Sequence, residues 1–356
     1  MEDRITALPD NIICSILSLL SMRDAVRTSV LSSKWRYLAL FYPNLSFESN
    51  NILGNRFSIE RFDVLDDNER IEFRLKKKLN FVKAVDQFFA LRPYGVKMKS
   101  LRICLSLDVD HASHLDQWIE FAFSSDIESL HLALRESMFN KPGRENYKGD
   151  LINFSFAKVE QVKNIGFDCE GYCPRWIKYA FTNMPPLLPR LESLNLFSHE
   201  IRTEFIPDYF PQFTYLKKLE VTHSAAPEYD HLWMITILRA CPIVEEIHIN
   251  FITLGVDDMI YKGEVAKLEP RCPLNRLKVV ELSGFTCFWS QIDLAVRILR
   301  NAVVLETMTI DCRLKMENDD GELEILGYYD YVRRWRRRIN RFLSKRVPEG
   351  AKLVIL

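Results

Sequence analysis

Between residues 98 and 310 the chain returns again and again to one spacing of apolar positions, 0, +3 and +5. The copies start at Met98, Ile127, Val162, Leu191, Leu216, Val244, Leu277 and Leu305, and read MKSLRI, IESLHL, VKNIGF, LESLNL, LKKLEV, VEEIHI, LKVVEL and LETMTI. Successive starts lie 29, 35, 29, 25, 28, 33 and 28 residues apart. Positions +3 and +5 share one side of a strand, because side chains alternate with period two. Each copy therefore predicts a short strand that buries +3 and +5 and turns +2, +4 and +6 outward.

Helical periodicity fills the intervals, as over Leu115 to Phe123, over Tyr229 to Ala240 ahead of Pro242, and over Ser290 to Asn301, where Ser290 and Asp293 form a capping-box pattern. A strand plus a helical return every 25 to 35 residues is the signature of a leucine-rich-repeat solenoid. The implied fold class is α/β: an irregular solenoid with a parallel sheet and convex helices, whose sheet face is a binding surface. Its outward positions in the central strands are Ser193, Asn195 and Phe197, then Lys218, Glu220 and Thr222, then Glu246, His248 and Asn250, then Val279, Glu281 and Ser283. These are the candidate target-binding residues; they are mixed in charge with a slight acidic excess. An amphipathic helix from Leu79, carrying Phe81, Val82, Val85, Phe88 and Phe89, is expected to cap the open start of the solenoid.

Residues 4–41 follow a different rhythm. Leu8-Pro9 opens a helix with Pro at its first position, and Ile12, Ile16 and Leu20 share one face. Ser21-x-x-Asp24 is a capping box for a second helix holding Ala25, Val26 and Val30, and Ser32 or Ser33 caps a third with Trp35, Leu38 and Leu40. Three short helices bury too little surface to stand alone, so this head must complete its core on the next domain or on another protein. Residues 48–78 read as a solvated connector and Asn140 to Asp150 as a surface loop. Near the C-terminus Tyr328, Tyr331, Val332, Trp335, Ile339, Phe342 and Leu343 form the apolar face of a helix that carries Arg333, Arg334, Arg336, Arg337, Arg338 and Arg341. The closing run Lys352 to Leu356 is a strand able to close the sheet edge.

Composition narrows the function. The 356 residues are 47% apolar and carry no net charge, so nothing global points to nucleic acid or a membrane. Glu2, Asp3 and the serines at 15 and 18 exclude a signal peptide, and no apolar run is long enough for a membrane span. Eight cysteines without framework spacing suit reduced thiols, and the expected location is intracellular, cytoplasm or nucleus. Gly166 and Gly171 lack the lysine of a phosphate loop, while Cys169-x3-Cys173 and His111-x2-His114 are metal-like only in isolation. No catalytic motif, metal site or cofactor site is expected.

The run RITALPDNIICSILSLLSMRDAVRTSVLSSKWRYLALFYPNLSF resembles an F-box, in the form it takes in plant F-box/leucine-rich-repeat proteins. The shared features are Leu8-Pro9, Ile16-Leu17, Ala25-Val26, Thr28-Ser29, Leu31-Ser32, Lys34-Trp35 and Leu45-Ser46-Phe47. The resemblance continues through LNFVKAVDQFFAL and the repeats. CPLNRLKVVELSGF and AVRILRNAVVLETMTI resemble the C-terminal FBD module of such proteins. The family usually has Leu-Trp where Leu38-Ala39 stands here.

What the resemblance implies is three regions: an F-box at 1–47, a connector at 48–78, and a solenoid at 79–356 of about eight repeats (98–310), with an FBD-like part over about 268–356. It further implies a non-catalytic substrate receptor of a Skp–cullin–F-box ubiquitin ligase. Leu8, Pro9, Ile12, Ile16, Leu17, Val30, Leu31 and Trp35 would bind the Skp-type adaptor, and through it a cullin. The repeat face would hold a protein target. The rival reading is a repeat scaffold or nucleic-acid-binding protein that assembles no ligase. No membrane partner or cofactor is expected.

Overall fold

The computed structural model describes residues 5, 7–20, 22–48, 52–53, 66–93, 95–104, 111–135, 160–170, 174–199, 210–225, 230–253, 273–313, 315–317, 323–325 and 329–356. The chain divides into two compact units, Met1–Ser155 with Gly166–Asp168, and Phe156–Ile165 with Cys169–Leu356. The Ser21 cap and the loop at 140–150 lie outside the described residues.

The first unit opens with three helices, α1 (Asp10–Ser18), α2 (Met22–Arg27) and α3 (Ser33–Ala39), with a 3-10 turn at Thr28–Val30. Pro9 stands at the N-cap of α1 rather than inside its first turn. The serine alternative at α3 resolves to Ser32, whose side chain accepts the Trp35 N–H at 3.3 Å. Ile13, Leu17, Ala25, Trp35 and Leu38 close the small core. Lys34 ties α3 to the head's start, donating to the Leu8 carbonyl at 2.6 Å and pairing with Asp10 at 3.0 Å.

Strand β1 (Asn44–Glu48) follows at once and pairs in parallel with β2 (Ser100–Cys104), which pairs with β3 (Ser129–Arg135). The stretch Tyr42-Pro43-Asn44-Leu45-Ser46-Phe47 is thus a further copy of the 0, +3, +5 pattern, with Tyr42, Leu45 and Phe47 buried. So the F-box-like segment ends inside the repeat sheet. The long helix α4 (Asp67–Leu91) starts at a complete capping box of Asp66 and Glu69, well before Leu79. It connects two parallel strands, as such crossovers require, and so is the first return helix rather than a cap. Its Phe88 and Phe89 rings meet Phe47 at 5.3 and 5.7 Å. Helix α5 (Ala112–Ser124) packs on α4, and Asp86 joins them by accepting the Trp118 indole N–H at 2.8 Å and pairing with His114 at 3.0 Å. His114 is thereby a packing residue.

Arg92 fixes the head to this sheet. The residue is buried, donates to the carbonyls of Leu40 (2.6 Å), Tyr42 (3.0 Å) and Lys97 (3.1 Å), and burial lowers its pKa to about 10. It is still a cation at neutral pH, held by three backbone dipoles.

In the second unit β5 (Ser193–His199), β6 (Lys218–Ala225), β7 (Glu246–Thr253), β8 (Val279–Ser283) and β9 (Thr307–Asp311) pair in parallel and in order. The C-terminal strand Lys352–Ile355 pairs with β9 in parallel, as expected of an edge-closing run. Strand β4 (Asn164–Glu170) is shared between the two units. Every predicted strand forms, beginning two residues after its repeat start, and all three apolar positions of all eight copies are buried.

The position after each start also has a role. In the second unit the carbonyls of Lys163, Glu192, Lys217, Glu245 and Lys278 each accept two N–H groups from the following repeat, at 2.7 to 3.1 Å. The +1 residues alternate Lys, Glu, Lys, Glu along the eight copies, and Lys217–Glu192 and Lys278–Glu245 pair at 3.2 Å. Exposed pairs of this kind contribute at most about 1 kcal/mol each, so the forked backbone bonds carry the contact.

Return helices here are α6 (Pro174–Leu187), α7 (Trp233–Arg239) and α8 (Trp289–Asn301). The expected Ser290–Asp293 box does not cap α8. Phe288 is its N-cap, the Ser290 hydroxyl meets His231 at 2.6 Å, and Asp293 pairs with Arg297 at 3.3 Å. Burial among aromatic rings lowers the His231 pKa to about 4, so its imidazole is neutral.

Gly284 leaves β8 at φ +65°, where a Cβ would stand 2.0 Å from the Phe251 carbonyl oxygen. Gly284→Ala is expected to cost about 2 kcal/mol or more, from strain and overlap together. An unchanged urea midpoint would contradict this.

Candidate functional site

The head's predicted contact residues divide by burial. Leu17 and Trp35, expected at the adaptor surface, are 1% and 2% exposed and belong to the head's own core instead: three helices this short need their largest apolar groups inside. Pro9, Ile12, Val30 and Leu31 are exposed, and Leu8 and Ile16 half-buried. Sequence reasoning missed Leu19, at 86%, and Val26, at 45%. Leu19 stands seven residues after Ile12, two helical turns on, which was the available signal. Val30 is 82% exposed because the chain leaves α2 for a 3-10 turn before reaching it, which carries it off the helix's buried side.

Ile12, Leu19, Val26, Val30 and Leu31 together give a head of some forty residues an unusual number of open apolar side chains. Scattered single exposures are ordinary, whereas several on one small element make it a candidate interaction surface. Ala39, where the resembled family usually has Trp, is buried and bears on the head's packing.

The second candidate face is the outward side of the repeat strands. Register aligns its residues in rows. One runs Ser193, Lys218, Glu246, Val279, Thr307; the next Asn195, Glu220, His248, Glu281, Thr309; the third Phe197, Thr222, Asn250, Ser283, Asp311. At the spacing of parallel strands, five strands give a face about 19 Å across. Glu246 is exposed, and Ser193, Asn195, Phe197, Lys218, Glu220, Thr222, His248, Asn250, Val279 and Glu281 are partly exposed. His248 lies between Glu220 and Glu281 and meets the latter at 3.7 Å.

Ser283 departs from the expectation: it is buried, as is its neighbour in register, Asp311. Arg313 folds back over Asp311 with two side-chain bonds of 2.8 Å, closing that end of the face. Phe197 is half-buried, so its ring is only partly presented.

Among the described residues no group of three or more His, Cys, Asp or Glu is placed to hold a metal ion. The Cys169–Cys173 pair lies outside the described side chains. Burial raises the thiol pKa of Cys241, Cys287 and Cys312, the last to about 12. No described helix is long and apolar enough to cross a membrane.

Residues 5–43 match the sequence profile of the F-box domain, and residues 144–356 match that of the At1g61320/AtMIF1 leucine-rich-repeat domain. Among curated relatives from Arabidopsis thaliana, the putative F-box/LRR-repeat protein At5g54820 is 31% identical over 46% of this chain and 34% of its own length. The putative F-box/LRR-repeat protein At1g56400 is 30% identical over 55% of this chain and 41% of its own. The F-box/FBD/LRR-repeat protein At5g53840 is 32% identical over 37% and 24%. The matched part of this chain thus spans well under half the length of these relatives.

Proposed function

We propose, from the fact that this chain belongs to the At1g61320/AtMIF1 leucine-rich-repeat family and carries an F-box domain, that it is the substrate-recognition subunit of a Skp–cullin–F-box ubiquitin ligase. Its head binds a Skp-type adaptor and its repeat face holds a protein target. The observation that carries the reading is the open apolar set Ile12, Leu19, Val26, Val30 and Leu31 on a head whose own core is already closed. Pro9, Leu8 and Ile16 complete the adaptor surface.

The chain does no bond chemistry in this reading. It raises the effective concentration of a target beside an enzyme that carries ubiquitin, an entropic contribution that needs rigid attachment more than reactive groups. Arg92 suits that role, because its three carbonyl contacts fix the end of the head to the first repeats. Target contact falls on Ser193, Asn195, Phe197, Lys218, Glu220, Thr222, Glu246, His248, Asn250 and Glu281. Their mixed charges act chiefly on encounter rate and selectivity.

The test is co-purification of the full chain with a Skp-type adaptor and a cullin, followed by enrichment of bound proteins. Phe197→Ala and Glu246→Lys are expected to lower target capture without loosening the adaptor. A chain that stays monomeric beside purified adaptor refutes the ligase reading and leaves a repeat scaffold.

A further inference from the structure

The C-terminal helix α9 (Tyr329–Leu343) seats Trp335, Ile339 and Leu343 against the second unit, all three buried. Its other side is almost wholly arginine. Arg333, Arg334, Arg336, Arg337 and Arg341 are exposed, Arg338 is half-buried, and Lys345 and Arg346 extend the surface into the 3-10 turn Ser344–Arg346. Among the described residues none of these cations pairs with a carboxylate; Arg346 instead donates to the Phe342 carbonyl of its own chain.

Such a stripe is costly to the helix. Arg333, Arg337, Arg341 and Lys345 repeat at i, i+4, as do Arg334 and Arg338, and like charges at that spacing destabilise a helix. Only the charges of the last turn gain from the helix dipole. The buried face alone would be served as well by glutamine, so packing does not account for the arginines.

We propose that the exposed side of α9 is a docking surface for an acidic segment of a protein partner, rich in Asp or Glu. The inference does not depend on the head binding an adaptor. From Arg333 to Lys345 the ridge is about 18 Å long at the helical rise, the reach of a short extended peptide. Arginine fills every basic position of the helix and lysine enters only beyond it, which suits forked pairing with carboxylates.

A nucleic acid would be drawn by the same charge but fits less well. The helix is seated along Trp335, Ile339 and Leu343, so it cannot sink into a groove, and Trp335 is buried where it can stack on no base.

The experiment titrates the full chain with a labelled oligoglutamate peptide, and separately with a labelled single-stranded RNA and a DNA duplex, at low and at physiological salt. Wild type should bind oligoglutamate saturably, and less tightly as salt rises. Arg333→Gln with Arg337→Gln and Arg341→Gln should weaken binding about tenfold or more, since three exposed pairs together reach the 1.4 kcal/mol of one decade. The same three positions changed to Lys should weaken it about threefold. The Gln variant should melt no lower than wild type, because a repulsive stripe has been removed.

No saturable binding to oligoglutamate by wild type overturns the proposal, as does binding insensitive to salt or to the Gln changes. RNA or duplex DNA bound more tightly than the peptide, with the same dependence on the three arginines, replaces the acidic segment with a nucleic acid. Because the oligoglutamate titration and its salt series are read on wild type alone, poor folding of a variant leaves the proposal exposed to refutation.

Discussion

Changing Val30 and Leu31 together to aspartate should weaken binding of a Skp-type adaptor at least about thirtyfold, while the head keeps its helices. Both side chains are open, at 82% and 53%, so their replacement removes no contact of the head's own core. An apolar anchor at the centre of an interface typically loses 2 kcal/mol or more when truncated, and a charge adds the cost of desolvation on top. Leu8→Ala with Pro9→Ala should act in the same direction through the half-buried and exposed start of α1.

Trp35→Ala is the contrast. Its ring is buried, so the change should cost about 3–5 kcal/mol and unfold the head before any surface effect can be read. Titration calorimetry with purified adaptor, paired with circular dichroism, separates the two kinds of loss. Adaptor that binds wild type and the Val30/Leu31 variant alike would remove these residues from the interface.

The second large effect is expected inside the repeats. Arg297→Ala should destabilise the chain by about 3–5 kcal/mol, because it leaves Asp293 as a buried charge without its cation. The pair stands at 3.3 Å with both side chains almost fully enclosed, and Asn301 donates to the Arg297 carbonyl at 2.8 Å beside it. Replacing both partners, Asp293→Leu with Arg297→Met, should recover most of that loss, since two matched apolar groups carry no desolvation cost. Urea unfolding followed by tryptophan fluorescence measures both. A single variant within about 1 kcal/mol of wild type would mean that water already reaches the pair.

How much of this was legible varies with the range of the interaction. The eight strands were, because a strand's two-residue alternation is written in adjacent side chains and needs no distant partner to be read. The α9 amphipathic face and the final strand at Lys352 were legible for the same reason. The strand at Asn44–Glu48 carried the same 0, +3, +5 pattern in Tyr42, Leu45 and Phe47. It was read as part of the head because a long insertion, including α4, separates it from Met98. Helix α6 was hidden by Pro185 and Pro186, which fall in its last turn and offer no N–H to the carbonyls one turn back, so the pair reads in the sequence as a helix breaker.

Of the candidate sites, the apolar content of the head was plain in the sequence, but not its division into inside and outside. Leu17 and Trp35 went in, and Leu19 and Val30 came out, because three short helices can enclose only a few side chains and their packing angles choose which. Ser290 and Asp293 spelled a capping box that tertiary contact overrode, offering His231 and Arg297 as better partners than a helix end. The local pattern therefore determined the strands, the helices and the identity of the repeat. The two exposed faces, and the polar groups buried behind them, were decided only when distant segments met, since burial is a property of the assembled neighbourhood and not of any residue's place in the chain.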